Sequence, residues 1–188
     1  MVRYPHYHRD KRRAMHALFA PLDPKRGAEI GVWNGRTSRS LLKKFPELRL
    51  YMVDRWTPPP EGDSWLASGD RFALRLQEEH DEAYRCAINA TSDFGLRAVI
   101  RKMSSIAAAT TILDGDLDFV FIDGDHSFDG TRADIDAWYD KVRCGGIISG
   151  HDYGEGEELG YGVERAVRLS FDDFDVLPET FIWYARKP

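Results

Sequence analysis

Acidic and histidine side chains follow two apolar runs of this 188-residue chain, at the point where each run ends. The first run, residues 117–122, is followed by Asp123-Gly-Asp-His126, and the second, residues 145–150, is followed by His151 and Asp152. Carboxylates and imidazoles are side chains that bind divalent cations and transfer protons near neutral pH. The two clusters therefore predict a site for chemistry, with a metal as its expected component.

The spacing of the two clusters predicts that they meet in space. A helix-length segment, residues 128–143, separates the apolar runs and would return the chain to the same edge of a parallel sheet. In open α/β sheets, ligands bind in the crevice at the carboxyl ends of the strands. The residues expected to converge there are Asp123, Asp125, His126, His151 and Asp152.

A second pattern surrounds the first predicted strand, residues 28–33, and the helix predicted after it, residues 37–44. It reads Glu29-x-Gly31-x-x-x-Gly35. Gly31 would let a ligand approach the backbone, and Gly35 would permit a tight turn into the helix. An acid in this turn would repel a diphosphate and suits a cationic ligand, such as the sulfonium S-adenosylmethionine.

Two further residues lie where a nucleoside would be bound. Asp54 ends the second predicted strand, residues 48–54, where a Rossmann-like fold offers a carboxylate to a ribose diol. Ser104 follows the third predicted strand, residues 98–103, and would lie near an adenine. Each also has a purely structural interpretation, since Asp54 can simply end a strand and Ser104 is a suitable N-cap for a helix over residues 104–113.

In this order, the residues resemble those of class I S-adenosylmethionine-dependent methyltransferases. The Glu29 motif matches that family's first motif, Asp54 its acid after strand two, and Asp123 its acid after strand four. The resemblance covers roughly residues 27–188. With the adenine contact inferred for Ser104, the expected cofactor-binding residues are Glu29, Gly31, Gly35, Asp54, Ser104 and Asp123.

Within that family, the two acid and histidine clusters resemble those of metal-dependent O-methyltransferases of the macrolide-sugar and catechol types. The resemblance implies that Asp123, His151 and Asp152 hold magnesium or manganese and that His126 is the general base. It also implies a small hydroxylated acceptor, such as a sugar, a phenol or a natural product. His151 stands where the sugar enzymes carry a carboxylate, so His151 could instead be the catalytic base or a substrate ligand, with Asp123, Asp125 and Asp152 holding the ion.

Other functions fit parts of the same pattern. A metal-dependent hydrolase or phosphoesterase would use the acids and histidines, but it needs further ligands after strand one, where the chain has Gly31-Val-Trp33. A non-catalytic S-adenosylmethionine-binding domain would keep the cofactor motif without turnover. A nicotinamide-dependent oxidoreductase is disfavoured by the acid at Glu29 and by the absence of a third glycine.

Composition restricts the partners. A net charge of −5 and a pI near 5.7 provide no basic field for a nucleic acid. No segment approaches the ~20 apolar residues that cross a bilayer, and no signal peptide is evident, so we expect a cytoplasmic protein without a membrane partner. Cys86 and Cys144 lack metal-site or disulfide spacing and would be buried thiols. A homodimer would complete an acceptor pocket that this short chain does not complete alone.

The predicted fold is an α/β Rossmann-like three-layer sandwich with a seven-stranded, mostly parallel sheet and a reversed final strand. Residues 1–26 would form an N-terminal arm or helix, and residues 27–188 the methyltransferase domain. Residues 55–69 predict a long surface loop, with Trp56 at the cleft, and residues 70–94 a helix. Tyr153 and the acidic, glycine-rich residues 154–160 would overhang the cleft and gate the substrate.

Overall fold

The computed structural model describes residues 7–154 and 161–188, with the backbone alone at residues 7–10. Seven strands form one sheet in the order β3-β2-β1-β4-β5-β7-β6. The strands are β1 Arg26–Ile30, β2 Arg49–Asp54, β3 Ala98–Lys102, β4 Leu117–Ile122, β5 Val142–Gly150, β6 Asp175–Leu177 and β7 Ile182–Arg186.

Helices cover both faces of the sheet. Consecutive residues of a strand point to opposite faces, and in β4 Phe119 and Phe121 pack against one helical layer while Val120 and Ile122 pack against the other. The first layer contains α1 Tyr7–Phe19, α2 Arg36–Lys44 and α4 Gln77–Thr91, and the second contains α5 Ser105–Ala109, α6 Phe128–Trp138 and α7 Val163–Ser170. The three-layer sandwich predicted from the sequence is confirmed.

The direction of the strands also follows the prediction. Strands β1 to β5 pair in parallel, and β7 pairs antiparallel with both β5 and β6. The final strand is therefore reversed. Parallel pairing places the carboxyl ends of β1, β4 and β5 side by side, and this edge carries the predicted site residues.

The segment between β2 and α4 differs from its prediction. It is not wholly irregular, since it contains the short helix α3 Ser64–Ala67. The predicted helix over residues 70–94 begins only at Gln77, because the Glu79 carboxylate accepts the Leu76 N–H at 3.1 Å and so caps the first turn. Residues 55–76 form an insertion between β2 and α4, which reaches from the end of β2 to the residues after β4 and so crosses the carboxyl edge of the sheet.

Smaller corrections concern element ends and cysteines. Strand β1 ends at Ile30 rather than residue 33, because Gly31 and Trp33 have positive φ values of 86° and 50°. The helix expected over residues 128–143 ends at Trp138, and β5 already begins at Val142. Neither cysteine is buried: Cys86 is partly exposed on α4 and Cys144 is exposed in β5.

Helix α1 lies within the segment expected to form an N-terminal arm or helix, and it packs into the core. Met15 and Phe19 are fully buried, and the Phe19 ring stacks on Phe119 with centroids 4.1 Å apart. The predicted gating residues 155–160 and the first six residues lie outside the described residues. No helix within the described ranges is both long and apolar enough to span a membrane.

Candidate active site

The turn after β1 and the residues after β4 and β5 lie at one edge of the sheet. The Asp123 N–H donates to Ile30 O at 2.8 Å, and the His151 N–H donates to Ile122 O at 3.0 Å. A Cβ added to Gly31 would lie 2.2 Å from Asp123 O, so the turn after β1 touches the backbone after β4. The predicted cofactor turn and the predicted catalytic clusters are therefore direct neighbours.

Three of the predicted side chains form a compact cluster with metal-binding potential. Asp123, His126 and Asp152 each offer a ligand atom, and these atoms all lie within 4.8 Å of one another. Asp152 has a positive φ of 61°, a conformation that is costly for a residue with a side chain and is often found at functional sites. This backbone geometry accompanies the close approach of its carboxylate to two histidines.

His151 lies at the edge of that cluster. Its Nδ1 atom is 3.0 Å from Asp152 Oδ2 and 3.6 Å from Asp123 Oδ1, and the residue is 5% exposed. The predicted metal set of Asp123, His151 and Asp152 is thus close together, although the described cluster of ligand atoms includes His126 rather than His151.

Asp125 has a different position from its neighbours in the sequence. Its Oδ1 atom accepts the Ser127 N–H at 2.8 Å, at the start of α6. Burial raises the pKa of this carboxyl, and the hydrogen bonds from Ser127 oppose the rise. Asp125 is outside the described cluster of candidate metal ligands and shapes the turn that carries His126.

His126 lies between two carboxylates. Its Nδ1 atom is 2.7 Å from Asp70 Oδ2, and its Nε2 atom is 2.9 Å from Asp152 Oδ2. Burial favours the neutral ring, but the nearby Asp152 and Asp70 carboxylates outweigh it and raise the pKa of His126 to about 10. Burial would raise the pKa of Asp152, whereas the two histidines hold it well below its usual range. Without a ligand, the His126 ring is therefore protonated on both nitrogens and positively charged at neutral pH.

In the part of the chain that the structure describes, the cluster has the ligand atoms and the unsatisfied buried nitrogen that a cation site requires. His126 Nε2 is buried and, among the described residues, has no partner with hydrogen-bond alignment, even though Asp152 is close. Carboxylate oxygens combined with imidazole nitrogen suit manganese, iron or zinc better than magnesium or calcium. Asp123 and Asp152, with one histidine, would hold such an ion.

A lysine from α1 completes the site, and the sequence did not reveal it. Lys11 Nζ is 2.6 Å from Asp123 Oδ2 and 5.3 Å from the centre of the Phe121 ring. Lys11 is 8% exposed. The Lys11–Arg13 run resembles a solvated basic patch in the sequence, and the burial of its first member depends on how α1 packs on the sheet.

Glu29 is enclosed beneath the turn after β1. Its carboxyl accepts a hydrogen bond from the Ser38 hydroxyl and is 1% exposed. Burial raises the pKa of Glu29 to about 8, the Ser38 bond opposes the rise, and the nearby Asp123 charge adds to it. Glu29 is therefore mostly neutral at pH 7 in the absence of a ligand, and a bound cation would favour its ionised form.

The two glycines of the turn are required by packing within the chain. Gly31 has a φ of 86° and lies against the backbone of Asp123 and Gly124. Gly35 has a φ of 75° at the N-cap of α2, and a Cβ there would lie 2.9 Å from the Ala87 Cα atom. These close approaches do not depend on a ligand.

Asp54 and Ser104 have structural contacts of their own. Both oxygens of Asp54 accept backbone N–H groups, from Trp33 and Trp56, each at 2.8 Å. Burial raises the pKa of Asp54, and these two bonds oppose the rise. Ser104 is the N-cap of α5, as predicted, and its hydroxyl accepts the Ala107 N–H at 3.3 Å.

The tryptophan expected at the cleft belongs to the core instead. Trp56 is fully buried, and its indole N–H donates to Trp33 O at 2.8 Å. The prediction that Trp56 lines the cleft is wrong because this donor and the large ring are both satisfied inside the protein.

A match to the sequence profile of a known family shows which family the chain belongs to. The profile of a family of methyltransferase domains matches residues 28–153, which is more than half of the chain. The chain belongs to this family and is an S-adenosylmethionine-dependent methyltransferase. This finding decides against the hydrolase and nicotinamide-dependent alternatives. Comparison of the methyltransferase with curated proteins finds no significant match.

Solved structures share the fold of the methyltransferase at low identity. PaMTH1 from Podospora anserina, a methyltransferase with bound SAH, has a TM-score of 0.66 and 14% identity, over 94% of this chain and 77% of that one. A putative caffeoyl-CoA O-methyltransferase from Staphylococcus aureus has a TM-score of 0.65 and 11% identity, over 93% and 82%. The calicheamicin methyltransferase CalS11 has a TM-score of 0.68 and 17% identity, over 95% of this chain and 79% of that one. At these identities the similarity shows the fold alone.

Proposed function

We propose that this methyltransferase methylates a hydroxyl oxygen of a small acceptor, such as a sugar, a phenol or a natural product, with help from a divalent cation. The observation that carries the proposal is the convergence of Asp123, His126 and Asp152 within 4.8 Å, directly beside the turn after β1. One protein with the same fold is described as a putative caffeoyl-CoA O-methyltransferase, and by analogy with that description we propose oxygen as the acceptor atom.

The methyl donor would lie across the ends of β1, β2 and β4. The Glu29 and Asp123 carboxyls would face its cationic groups, and Asp54 would face the ribose. A carboxylate has about four acceptor sites, so two backbone N–H bonds leave Asp54 able to accept ribose hydroxyls. The full set of proposed cofactor-binding residues is Glu29, Gly31, Gly35, Asp54, Ser104 and Asp123.

The proposed cation would be held by Asp123, Asp152 and His151. The cluster geometry makes His126 a second candidate for the nitrogen ligand. A bound divalent cation would lower the pKa of the acceptor hydroxyl and so make its oxygen a better nucleophile.

The chain itself would then align the reactants and remove one proton. The acceptor oxygen attacks the methyl carbon in line, and a C–O bond forms as the C–S bond breaks. His126 would receive the acceptor proton at Nε2. Positive charge beside Asp152 weakens the attraction that keeps His126 protonated, so this base role requires an occupied cation site.

The experiment that tests the function is a methyl-transfer assay with labelled S-adenosylmethionine and a panel of catechols, sugars and amines, with Mn²⁺, Mg²⁺ or a chelator. We expect transfer to a hydroxyl acceptor that stops when the cation is removed. Calorimetry with S-adenosylhomocysteine should show binding with and without the cation. Full turnover in chelator, transfer to nitrogen, or cofactor binding without any turnover would contradict the proposal.

The assignment of the two histidines and the homodimer need separate measurements. Loss of Mn²⁺ affinity in His151→Ala, with affinity kept in His126→Ala, would support His151 as the ligand and His126 as the base. The reverse result would exchange their roles. Light scattering in solution tests the proposed homodimer, and a monomeric mass would contradict it.

A further inference from the structure

A buried carboxylate from the insertion reaches the proposed base. Asp70 lies in residues 55–76, which cross the carboxyl edge of the sheet, and its Oδ2 atom is 2.7 Å from His126 Nδ1. Asp70 is 0% exposed and its partner is 56 residues away in the sequence. The sequence motifs gave no role to this acid.

The carboxylate of Asp70 is held by bonds that do not involve His126. The Trp65 indole N–H donates to Oδ2 at 2.8 Å, and the Phe72 N–H donates to Oδ1 at 2.8 Å. All three groups around the carboxylate are therefore hydrogen-bond donors, counting His126. Burial alone would raise the pKa of Asp70, but the bond from His126 and the other donors lower it, so the group is a carboxylate.

The insertion itself is fastened near His126. The Ser64 hydroxyl lies 3.1 Å from the Ser127 hydroxyl, which joins α3 to the start of α6. On the other side, the Tyr161 ring stacks on the imidazole with centroids 4.9 Å apart. Asp70 and Tyr161 together restrict both the position and the rotation of the ring.

This geometry determines which nitrogen faces the site. A proton on Nδ1 is directed to Asp70, so Nε2 points to Asp152 and the cation cluster. A carboxylate that accepts one imidazole N–H sets the tautomer and orientation of the ring, and so prepares the other nitrogen for its task.

We propose that Asp70 is a positioning residue for His126: it binds the Nδ1–H and holds Nε2 toward the acceptor oxygen. The inference rests on the proposed function for the role of Nε2, whereas the hydrogen bond to Nδ1 stands by itself. The insertion after β2 then contributes to proton transfer and is more than a cover for the cleft.

The first test measures the hydrogen bond in the protein without cofactor, metal or acceptor. An imidazole N–H bonded to a buried carboxylate should give a strongly downfield proton NMR signal, assigned to His126 by its loss in His126→Gln and to Nδ1, rather than to the Nε2–H near Asp152, by its ¹⁵N correlations within the ring. In Asp70→Asn one orientation of the amide sets its N–H₂ group against the Trp65 and His126 donors, and the other sets it against the Phe72 N–H and leaves His126 only a neutral oxygen, so we expect the signal to disappear or to move upfield. Asp70→Ser replaces this variant if the Asn form does not fold.

The matched control is Asp63→Asn, the same chemical change in the same insertion. Asp63 caps α3 by accepting the Trp65 N–H at 3.0 Å, and Asn retains this ability. The downfield signal should persist in this variant. A His126 Nδ1–H signal that keeps its chemical shift in Asp70→Asn would overturn the inference.

The second test is kinetic. We expect Asp70→Asn to lower kcat about 10- to 100-fold, with KM and S-adenosylhomocysteine affinity unchanged, while Asp63→Asn keeps its kcat. A kcat equal to that of the control would overturn the positioning role. Loss or upfield movement of the NMR signal in Asp70→Asn, together with undiminished turnover in His126→Ala, would instead refute the base assignment in the proposed function. The Asp70 hydrogen bond would then remain established.

Discussion

The ammonium of Lys11 is 2.6 Å from Asp123 Oδ2, which ties a helix of one layer to the acid that ends β4. The lysine and aspartate side chains are 9% and 20% exposed, so the pair is largely removed from solvent. Asp123 is also a proposed ligand for the divalent cation and a proposed contact of the methyl donor. Lys11 therefore occupies a position where another positive charge would bind.

The first prediction concerns competition for this carboxylate. Lys11→Met keeps much of the side-chain length and removes the charge, so we expect Mn²⁺ to bind about tenfold more tightly, equivalent to ~1.4 kcal/mol. Electron paramagnetic resonance of free Mn²⁺ during titration measures the affinity. The control is Arg13→Met, which removes one charge from an exposed position of the same helix and should leave the affinity nearly unchanged. Unchanged or weaker binding in Lys11→Met would contradict competition.

The second prediction concerns the base. His126→Ala should lower turnover about 10²- to 10⁴-fold because it removes the proton acceptor, while S-adenosylhomocysteine affinity stays almost intact. Calorimetry and the labelled methyl-transfer assay measure the two quantities. His16→Ala, which removes a histidine of α1 that is hydrogen-bonded to Ser40 of α2, is the control and should keep its turnover. Equal losses of turnover and cofactor affinity would show that His126 has no separate catalytic role.

The third prediction concerns Glu29 and pH. Its pKa rises from 4.5 in the unfolded chain to about 8 in the folded protein, so between these values the folded state binds more protons. The contribution of Glu29 to stability is therefore fully present below pH 4.5 and is lost as pH rises toward 8. Glu29→Gln removes this titration.

Thermal unfolding of cofactor-free protein at several pH values tests that prediction. The melting temperature of Glu29→Gln should rise relative to that of the wild type as pH increases from about 5 to about 8. Glu47→Gln is the surface control, since the Glu47 side chain is 75% exposed. A constant difference between Glu29→Gln and the wild type over this range would be inconsistent with a buried, protonated Glu29.

The fourth prediction separates backbone strain from close packing at the turn after β1. Gly31 and Gly62 have φ values of 86° and 83°, but a Cβ at residue 31 would lie 2.2 Å from Asp123 O, whereas at residue 62 no atom lies within 4 Å. Gly62→Ala should cost about 1–2 kcal/mol of unfolding free energy through strain alone. Gly31→Ala should cost at least ~3 kcal/mol, because overpacking adds to the strain.

Urea unfolding of the two glycine variants measures these costs. Failure of Gly31→Ala to accumulate as folded protein while Gly62→Ala folds would agree with the larger loss. Equal costs would mean that the turn after β1 moves freely away from Asp123, contrary to the close contact that joins the cofactor turn to the acid cluster.

Several parts of the fold could be predicted because they depend on short-range patterns. The buried apolar run of β4 and the apolar stripe of α6 appear in the sequence with the correct periods. The insertion was harder to predict. Its prolines indicate a loop, but the α3 turn and the start of α4 depend on caps, such as the Glu79 bond to Leu76, which compete with the helical composition of residues 70–76.

The sequence by itself determined that acidic and histidine side chains follow two neighbouring strands and meet at one edge of the sheet. Parallel strands bring their carboxyl ends to the same edge whatever the details of the side chains. Only the tertiary structure decided which groups surround these residues. Lys11 meets Asp123 across 112 residues, and Asp70 meets His126 across 56. Such contacts depend on how α1 packs and how the insertion crosses the sheet, and these arrangements arise from the burial of the whole core rather than from any local pattern.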